Sequence, residues 1–418
     1  MSEPIASYHE RLPDLDRELT ERGSLGLLVL DASLLRGIED RFGLQAYEEV
    51  RDRVLTIIEE ARGKDYRAGD LLCLDRPRGT RFLFLLERKR RRNVPLSVAD
   101  LRAARARVMS SLVPSIARTA FPYIKAGDVP DRPEVGHGLA VYNPLLHPAR
   151  MLERAFEDAL AQASHQRRSD ELLRLERLQD VLLRERVVTA YQPILRMKEG
   201  TILGFEALSR GPRGSGLDTA DELFRAAQSH GLEVELDRLC RRRALLSSGR
   251  IPSNAKIFVN TLPATMRDPQ FRGKALIDFL DRAQVPPDRI VIEITEKLVI
   301  ENHALFRDTM ADFTQLGMSF AVDDVGAGYS GLESIHKLKP SYIKIDMGLV
   351  RDVHVSTVNR AMARAIITLG HGIGAEVIAE GIQNEEELQV LRALDVDYGQ
   401  GYHLAPPDSG QEQERREY

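Results

Sequence analysis

Hydrophobic positions along the chain fall into two regimes. Through roughly the first 165 residues, short apolar runs stand apart from one another. Gly26-Leu27-Leu28-Val29-Leu30-Asp31, Arg81-Phe82-Leu83-Phe84-Leu85-Leu86 and Val135 to Tyr142 read as strands. Tyr47 to Ala61 and a stretch from about Pro148 to His165 carry apolar residues at helical spacing. This pattern predicts one α/β domain over residues 1–165. Next, Ser169 to Val188 places Leu172, Leu175, Leu178 and Leu182 on one stripe, with Ser169 and Asp170 as caps, and predicts an amphipathic connecting helix over 166–188.

From Val187 the pattern becomes strand-then-helix. Candidate strands are Ala190–Leu195, Leu203–Leu208, Lys256–Asn260, Ile290–Glu296, Ser319–Asp324, Tyr342–Asp346, Glu376–Glu380 and a last one near Tyr398–Leu404. Short apolar strands alternating with helices in this number predict a (β/α)8 TIM-like barrel over 187–407, followed by a polar tail at 408–418.

The polar residues change that picture. Glu206, Asn260, Glu293, Asp323, Lys344, Glu380 and Gln400 each sit within or at the end of a predicted strand, so all converge on the C-terminal mouth where barrel active sites lie. Asp323 and Asp324 are adjacent acids followed by glycines, and two neighbouring carboxylates persist most easily when an oxygen-liking divalent cation, Mg2+ or Mn2+, neutralises them. Singly, each residue has a plain structural role: Glu206 as a strand-edge acid, Asn260 as a turn former, Lys344 as a snorkelling lysine, Asp323-Asp324 as a solvated turn. Together they would be costly in a core without ligands to satisfy them. Four or five oxygen ligands plus one lysine suit a two-metal phosphodiesterase, in which the ions clamp phosphate oxygens and acidify the attacking water.

Composition narrows the class. The 418 residues allow two or three domains and carry a formal net charge of −4, which argues against bulk binding of a nucleic-acid polymer. Cys73 and Cys240 form no CxxC pair or zinc spacing, which fits a reducing cytoplasm. No apolar run approaches the ~20 residues of a spanning helix, so no membrane insertion is expected.

Glu206-Ala207-Leu208 with Arg210, Asn260 in FVNTLP, Glu293 and Glu296 in IEITE, Asp323 and Asp324 in DDVGAGYSGL, Lys344 in YIKID, Glu380 in AEGIQ and Gln400 in GQGY occur in one order. In that order they resemble the EAL family of cyclic di-GMP phosphodiesterases. The resemblance implies two Mg2+ or Mn2+ ions, held by Glu206, Asn260, Glu293 and Asp323, with Asp324 serving the second. It implies that Lys344 holds the water and a phosphate oxygen, that Glu380 assists as base or ligand, and that Glu296 braces the loop after Asp324. Gln192, Leu208, Arg210 and Gln400 would contact the dinucleotide. Val325 and Gln383 depart from the family pattern and remove no implied ligand.

The LLVLD strand, Leu35 to Gly43 and Met151 to Leu160 resemble landmarks of the GGDEF diguanylate cyclases. The signature is missing, because Arg78-Gly79-Thr80-Arg81-Phe82 puts a cation where a metal-binding acid belongs. A catalytically dead GGDEF-like domain is therefore expected. Arg67-Ala68-Gly69-Asp70 matches that family's RxxD product-binding motif, so Arg67 and Asp70 are a candidate regulatory nucleotide site, alongside an ordinary surface ion pair. The basic run Glu87 to Arg92 reads as a solvated hairpin tip.

The expected activity is hydrolysis of cyclic di-GMP to linear 5′-pGpG in a cytoplasmic homodimer, regulated by the first domain through the connecting helix. The alternative is a non-catalytic cyclic di-GMP receptor signalling to a protein partner. A barrel used only as a scaffold leaves the acid cluster unexplained.

Overall fold

The computed structural model describes residues 5–77, 79–86, 96–120, 133–262, 265–266, 268–295, 310–326, 335 and 339–408. The chain divides into two compact units, Met1–Leu173 and Arg174–Tyr418.

In the first unit, β1 (Ser24–Asp31), β2 (Leu71–Leu74), β3 (Arg81–Leu86) and β4 (Glu134–Val141) form an antiparallel sheet in the order β2-β3-β1-β4. The central strands are apolar without alternation because both faces are covered. On one face Leu28, Leu30, Phe82 and Phe84 pack with Ile38 and Val54 of α2 (Leu34–Glu60) and with Leu101 and Val108 of a later helix. That later helix is α3 (Val98–Ala120). On the other face Leu27, Val29, Leu83 and Leu85 pack with Leu15 and Leu19 of α1 (Leu12–Arg22) and with Leu152 and Ala159. Leu152 and Ala159 belong to α4 (Pro148–Leu183). A Cβ on Gly136 or Gly138 of β4 would lie 1.8 or 1.9 Å from the carbonyl oxygens of Ala159 and Ala155, so only glycine allows α4 to approach this closely.

Three readings of this unit need correction. The helix Leu12–Arg22, α3 and the four-residue β2 were not anticipated. The helical stretch Tyr47–Ala61 is the far part of α2, which starts at Leu34 and passes through a non-helical Gly43 (φ 83°, ψ 175°). The two helices expected at 148–165 and 169–188 are one continuous α4 that stops at Leu183.

The second unit is a closed barrel in the order β10-β11-β12-β5-β6-β7-β8-β9. Its strands are β5 (Val188–Arg196), β6 (Ile202–Arg210), β7 (Lys256–Asn260), β8 (Ile290–Thr295), β9 (Ser319–Val325), β10 (Tyr342–Ile345), β11 (Glu376–Ala379) and β12 (Tyr398–Gly399). Strands β6 to β12 run parallel, but β5 is antiparallel to both neighbours, which corrects the uniform (β/α)8 expectation. Only Met197–Thr201, turning at Gly200 (φ 69°), separates β5 from β6, and a crossover to a parallel strand needs a dozen residues or more. Around the barrel pack α5 (Ala220–His230), α6 (Glu233–Leu246), α7 (Gly273–Ala283), α8 (Thr357–Ile373) and α9 (Glu385–Ala393). Among the described residues, no helix is long and apolar enough to cross a membrane.

The barrel interior explains where the polar residues go. Phe258, Val291, Ala321, Tyr342, Ile378 and Tyr398 form one buried cluster, with Phe258 and Tyr342 edge-on at 5.2 Å. Each stands two positions before Asn260, Glu293, Asp323, Lys344, Glu380 or Gln400. Because strand side chains alternate, this apolar layer floors the barrel and the polar residues form the next layer toward the mouth.

Candidate functional site

Lys344 is the hub of the mouth. It is fully buried, and its Nζ lies 2.6 Å from Glu380 Oε1, 2.8 Å from Glu293 Oε1, 3.2 Å from Asp323 Oδ1 and 3.4 Å from Glu206 Oε2. Burial works against its charge, but Asp323, Glu206, Glu293 and Glu380 outweigh that and hold its pKa well above the ordinary lysine value. Glu206 is buried but receives two amide donors. Asn260 Nδ2 donates to its Oε1 at 2.9 Å and Gln400 Nε2 to its Oε2 at 2.7 Å. Burial would raise its pKa, yet Lys344 and these two amides bring it below the usual value. Gln400 also donates to Gln192 Oε1 at 3.0 Å, and Gln192 Nε2 donates to the Ala405 carbonyl at 3.1 Å. With Nδ2 given to Glu206, Asn260 keeps Oδ1 as its remaining ligand atom.

Glu293 and Glu380 are the opposite case. Burial pushes both pKa values well above the usual carboxylate range, with neighbouring acids adding to it and Lys344 offsetting only part. Neither oxygen of Glu293 accepts a directed hydrogen bond, although Oε1 is within ion-pair range of the ammonium.

Asp323 and Asp324 share the mouth because the strand is irregular. Val322 pairs with Ile343 and Val325 with Ile345, so two residues of β9 oppose Lys344 alone. This is a bulge, and Asp324 takes the left-handed conformation within it (φ 58°). In a regular strand the two carboxylates would point to opposite faces. Here oxygens of Asp323, Asp324 and Glu380 lie within 4.8 Å of one another. Burial, then Asp323 and Asp346, raise the Asp324 pKa to about 6.

The donor set fits oxygen-liking divalent cations. Four carboxylates (Glu206, Glu293, Asp323, Glu380) pair with one ammonium, Asp324 lies beside two of them, and the fully buried Glu293 has no directed hydrogen bond. Leu208 and Arg210 share the parity of Glu206 on β6, which sets them on the rim above it, and both are half-buried. Glu296 lies outside the described residues.

The candidate site of the first unit looks different. Asp70 is buried, and its carboxylate turns back to accept the Arg67 backbone N–H at 2.8 Å, beside a cavity of about 70 Å³ also lined by Asp100 and Arg107. Arg81 faces Asp31 across the β1–β3 register, with Nε 3.5 Å from Asp31 Oδ2 and its terminal nitrogen 3.9 Å from Asp75 Oδ2. The other oxygen of Asp31 accepts the Ser33 N–H at 2.9 Å. Arg78 and the basic run 87–92 lie outside the described residues.

Residues 175–407 match the profile of the EAL domain. Over 413 residues the chain is 26% identical to the uncharacterized protein y4lL of Sinorhizobium fredii, covering 95% of this chain and 47% of that one. Over 249 residues it is 28% identical to the bifunctional diguanylate cyclase/cyclic di-GMP phosphodiesterase MucR of Pseudomonas aeruginosa, covering 57% of this chain and 35% of that one. The chain thus spans about half, or less, of the length of these curated relatives. In fold it is similar to the solved PaMucR phosphodiesterase in complex with c-di-GMP, with a TM-score of 0.53 and 24% identity over 57% of this chain and 99% of that one.

Proposed function

The chain belongs to the EAL domain family through residues 175–407, and from that premise we propose that it hydrolyses cyclic di-GMP to linear 5′-pGpG. The observation that carries the reading is the imbalance at the mouth: four carboxylates paired with one buried ammonium and Asp324 beside them, with Glu293 lacking a directed hydrogen bond. Glu206, Asn260, Glu293 and Asp323 would hold cations, with Asp324 at the second of two sites, for Mg2+ or Mn2+. Bound there, the ions would supply a water acidified to a nucleophile and a clamp for phosphate oxygens. Lys344 steadies the opposing charges and offers its ammonium to a phosphate oxygen. Glu380, half-buried at the edge of the layer, takes the proton as general base. Gln192, Leu208, Arg210 and Gln400 orient the dinucleotide, and Glu296 supports the loop after Asp324. Incubating the chain with cyclic di-GMP and Mn2+ should give 5′-pGpG as the product on chromatography, and excess EDTA should stop it. Product formed at an equal rate in EDTA would refute the reading.

In the same reading, residues 1–165 are a degenerate GGDEF-like domain joined through 166–188 to the barrel domain 187–407, with a polar tail at 408–418. It makes no cyclic di-GMP. Arg81 supports this, because it neutralises Asp31 and Asp75 where an incoming metal would need free carboxylates. GTP given to a Glu206→Ala chain, in which any product would persist, should yield none; cyclic di-GMP accumulating there would overturn the assignment. Arg67 and Asp70 are proposed as a guanine-nucleotide site through which this domain modulates the barrel of a cytoplasmic homodimer.

A further inference from the structure

We propose that Asp237, a buried carboxylate on the outer helix α6, is a positioning residue for Asn260 and Glu206, and so sets the affinity of the barrel mouth for its cation. The inference deepens the phosphodiesterase reading and rests on it. Asp237 is 2% exposed and sits on α6 beside Leu236 and near Leu239 and Cys240, where helical periodicity calls for an apolar side chain. A charge in that position must be matched. Besides Arg241 on the same helix, its partners belong to the segment that leaves β7. Oδ1 accepts the Leu262 N–H at 3.2 Å, two residues beyond Asn260, and Oδ2 accepts the hydroxyl of the fully buried Thr265. The same hydroxyl oxygen lies 2.7 Å from the Leu262 carbonyl, so its single proton is shared between that carbonyl and the Asp237 carboxylate.

Two further ties hold the described residues around this segment. On the barrel side, the Thr261 N–H donates to the Glu293 carbonyl at 3.0 Å. On the helix side, Arg241 balances Asp237 at 2.9 Å, is 1% exposed, and lies 4.1 Å above the ring of Phe271. Farther along the same loop, Asp268 receives Arg238 at 2.7 and 3.1 Å. Asn260 emerges from β7 directly into this clamp, and its amide fixes Glu206 Oε1 at 2.9 Å. The tie from α6 therefore reaches a proposed ligand through the Leu262 N–H and the two residues of backbone that separate it from Asn260. Groups hydrogen-bonded directly to metal ligands typically cost 10- to 100-fold in metal affinity when removed, and Asp237, acting through two residues of backbone, belongs at the low end of that range.

The test is Mn2+ binding to the full chain by titration calorimetry without substrate, so the readout does not depend on turnover. Asp237→Ala is expected to weaken binding by about 10-fold. Thr265→Val, which cuts the tie to Thr265 and keeps the Asp237–Arg241 pair, should weaken it by a smaller factor. Leu239→Ala removes a buried apolar contact from the same helix; it should lower the melting temperature and leave Mn2+ affinity as in the wild type. Wild-type affinity in a folded Asp237→Ala chain, or an equal loss in Leu239→Ala, overturns the proposal. If Asp237→Ala does not fold, wild-type affinity in Thr265→Val overturns it instead. A wild-type chain that takes up no Mn2+ defeats the metal reading, and this inference with it.

Discussion

Glu206→Ala is expected to lower turnover of cyclic di-GMP by more than about 100-fold at saturating Mn2+, beyond the range that supporting residues command. Glu206 is the residue on which the amides of Asn260 and Gln400 converge, and it contributes one of the four acids around Lys344. Removing it takes away a proposed oxygen ligand, leaves the Asn260 amide without its acceptor and leaves Gln400 with Gln192 alone, so the loss is of chemistry and of geometry together. Product chromatography over a time course measures it. A rate within tenfold of wild type would mean that the acid cluster is not the reaction centre.

The second large effect is on stability. Lys344→Met preserves most of the side-chain volume and removes the only ammonium among the described residues of the cluster. Breaking a buried ion pair from one side costs about 3–5 kcal/mol, because the partner charges remain. In EDTA the variant should therefore unfold at clearly lower urea concentration than wild type. Adding Mn2+ should narrow the gap, since a cation that binds only the folded barrel stabilises it and replaces the lost charge. Turnover should be lost in both conditions. A urea midpoint equal to wild type in EDTA would show that Lys344 does not balance these acids.

Much of the barrel was legible because two periodicities agree. Each apolar run ends in a polar residue two positions after a floor residue, so the strand pattern and the ring of polar positions point the same way, and Lys256–Asn260 is β7 to the residue. The direction of β5 was not legible, since alternation reads identically in either sense and only the short link at Met197–Thr201 carries the information. The bulge was hidden for a related reason. Adjacent acids in a strand read as facing opposite ways, and nothing in the letters announces a positive φ at Asp324. In the first unit, Ser169 and Asp170 imitate a helix start, yet Asp170 accepts the Gln166 amide at 2.9 Å within a helix that runs on. β2 is too short to show a period. Asp237 was passed over because, in a helix start that also carries Glu233 and Glu235, one more acid reads as solvated until its neighbours are known.

The reversed β5 has a consequence for how the barrel is made. Its pairing with β6 is a local hairpin that can form within microseconds of both strands being available. Its other edge, however, waits for β12, whose pairing joins Tyr398 to Arg196 and Gly399 to Leu195 across almost the whole unit. During synthesis that edge stays open until the last strand has been made, and such late, non-local contacts are slow to form. Gln400 follows β12 directly and ties Gln192 to Glu206, contacts that span 208 and 194 residues of sequence. The proposed site is therefore completed late: the step that seals the cylinder is also the step that brings Gln400 onto Gln192 and Glu206, and an unfinished barrel lacks that contact.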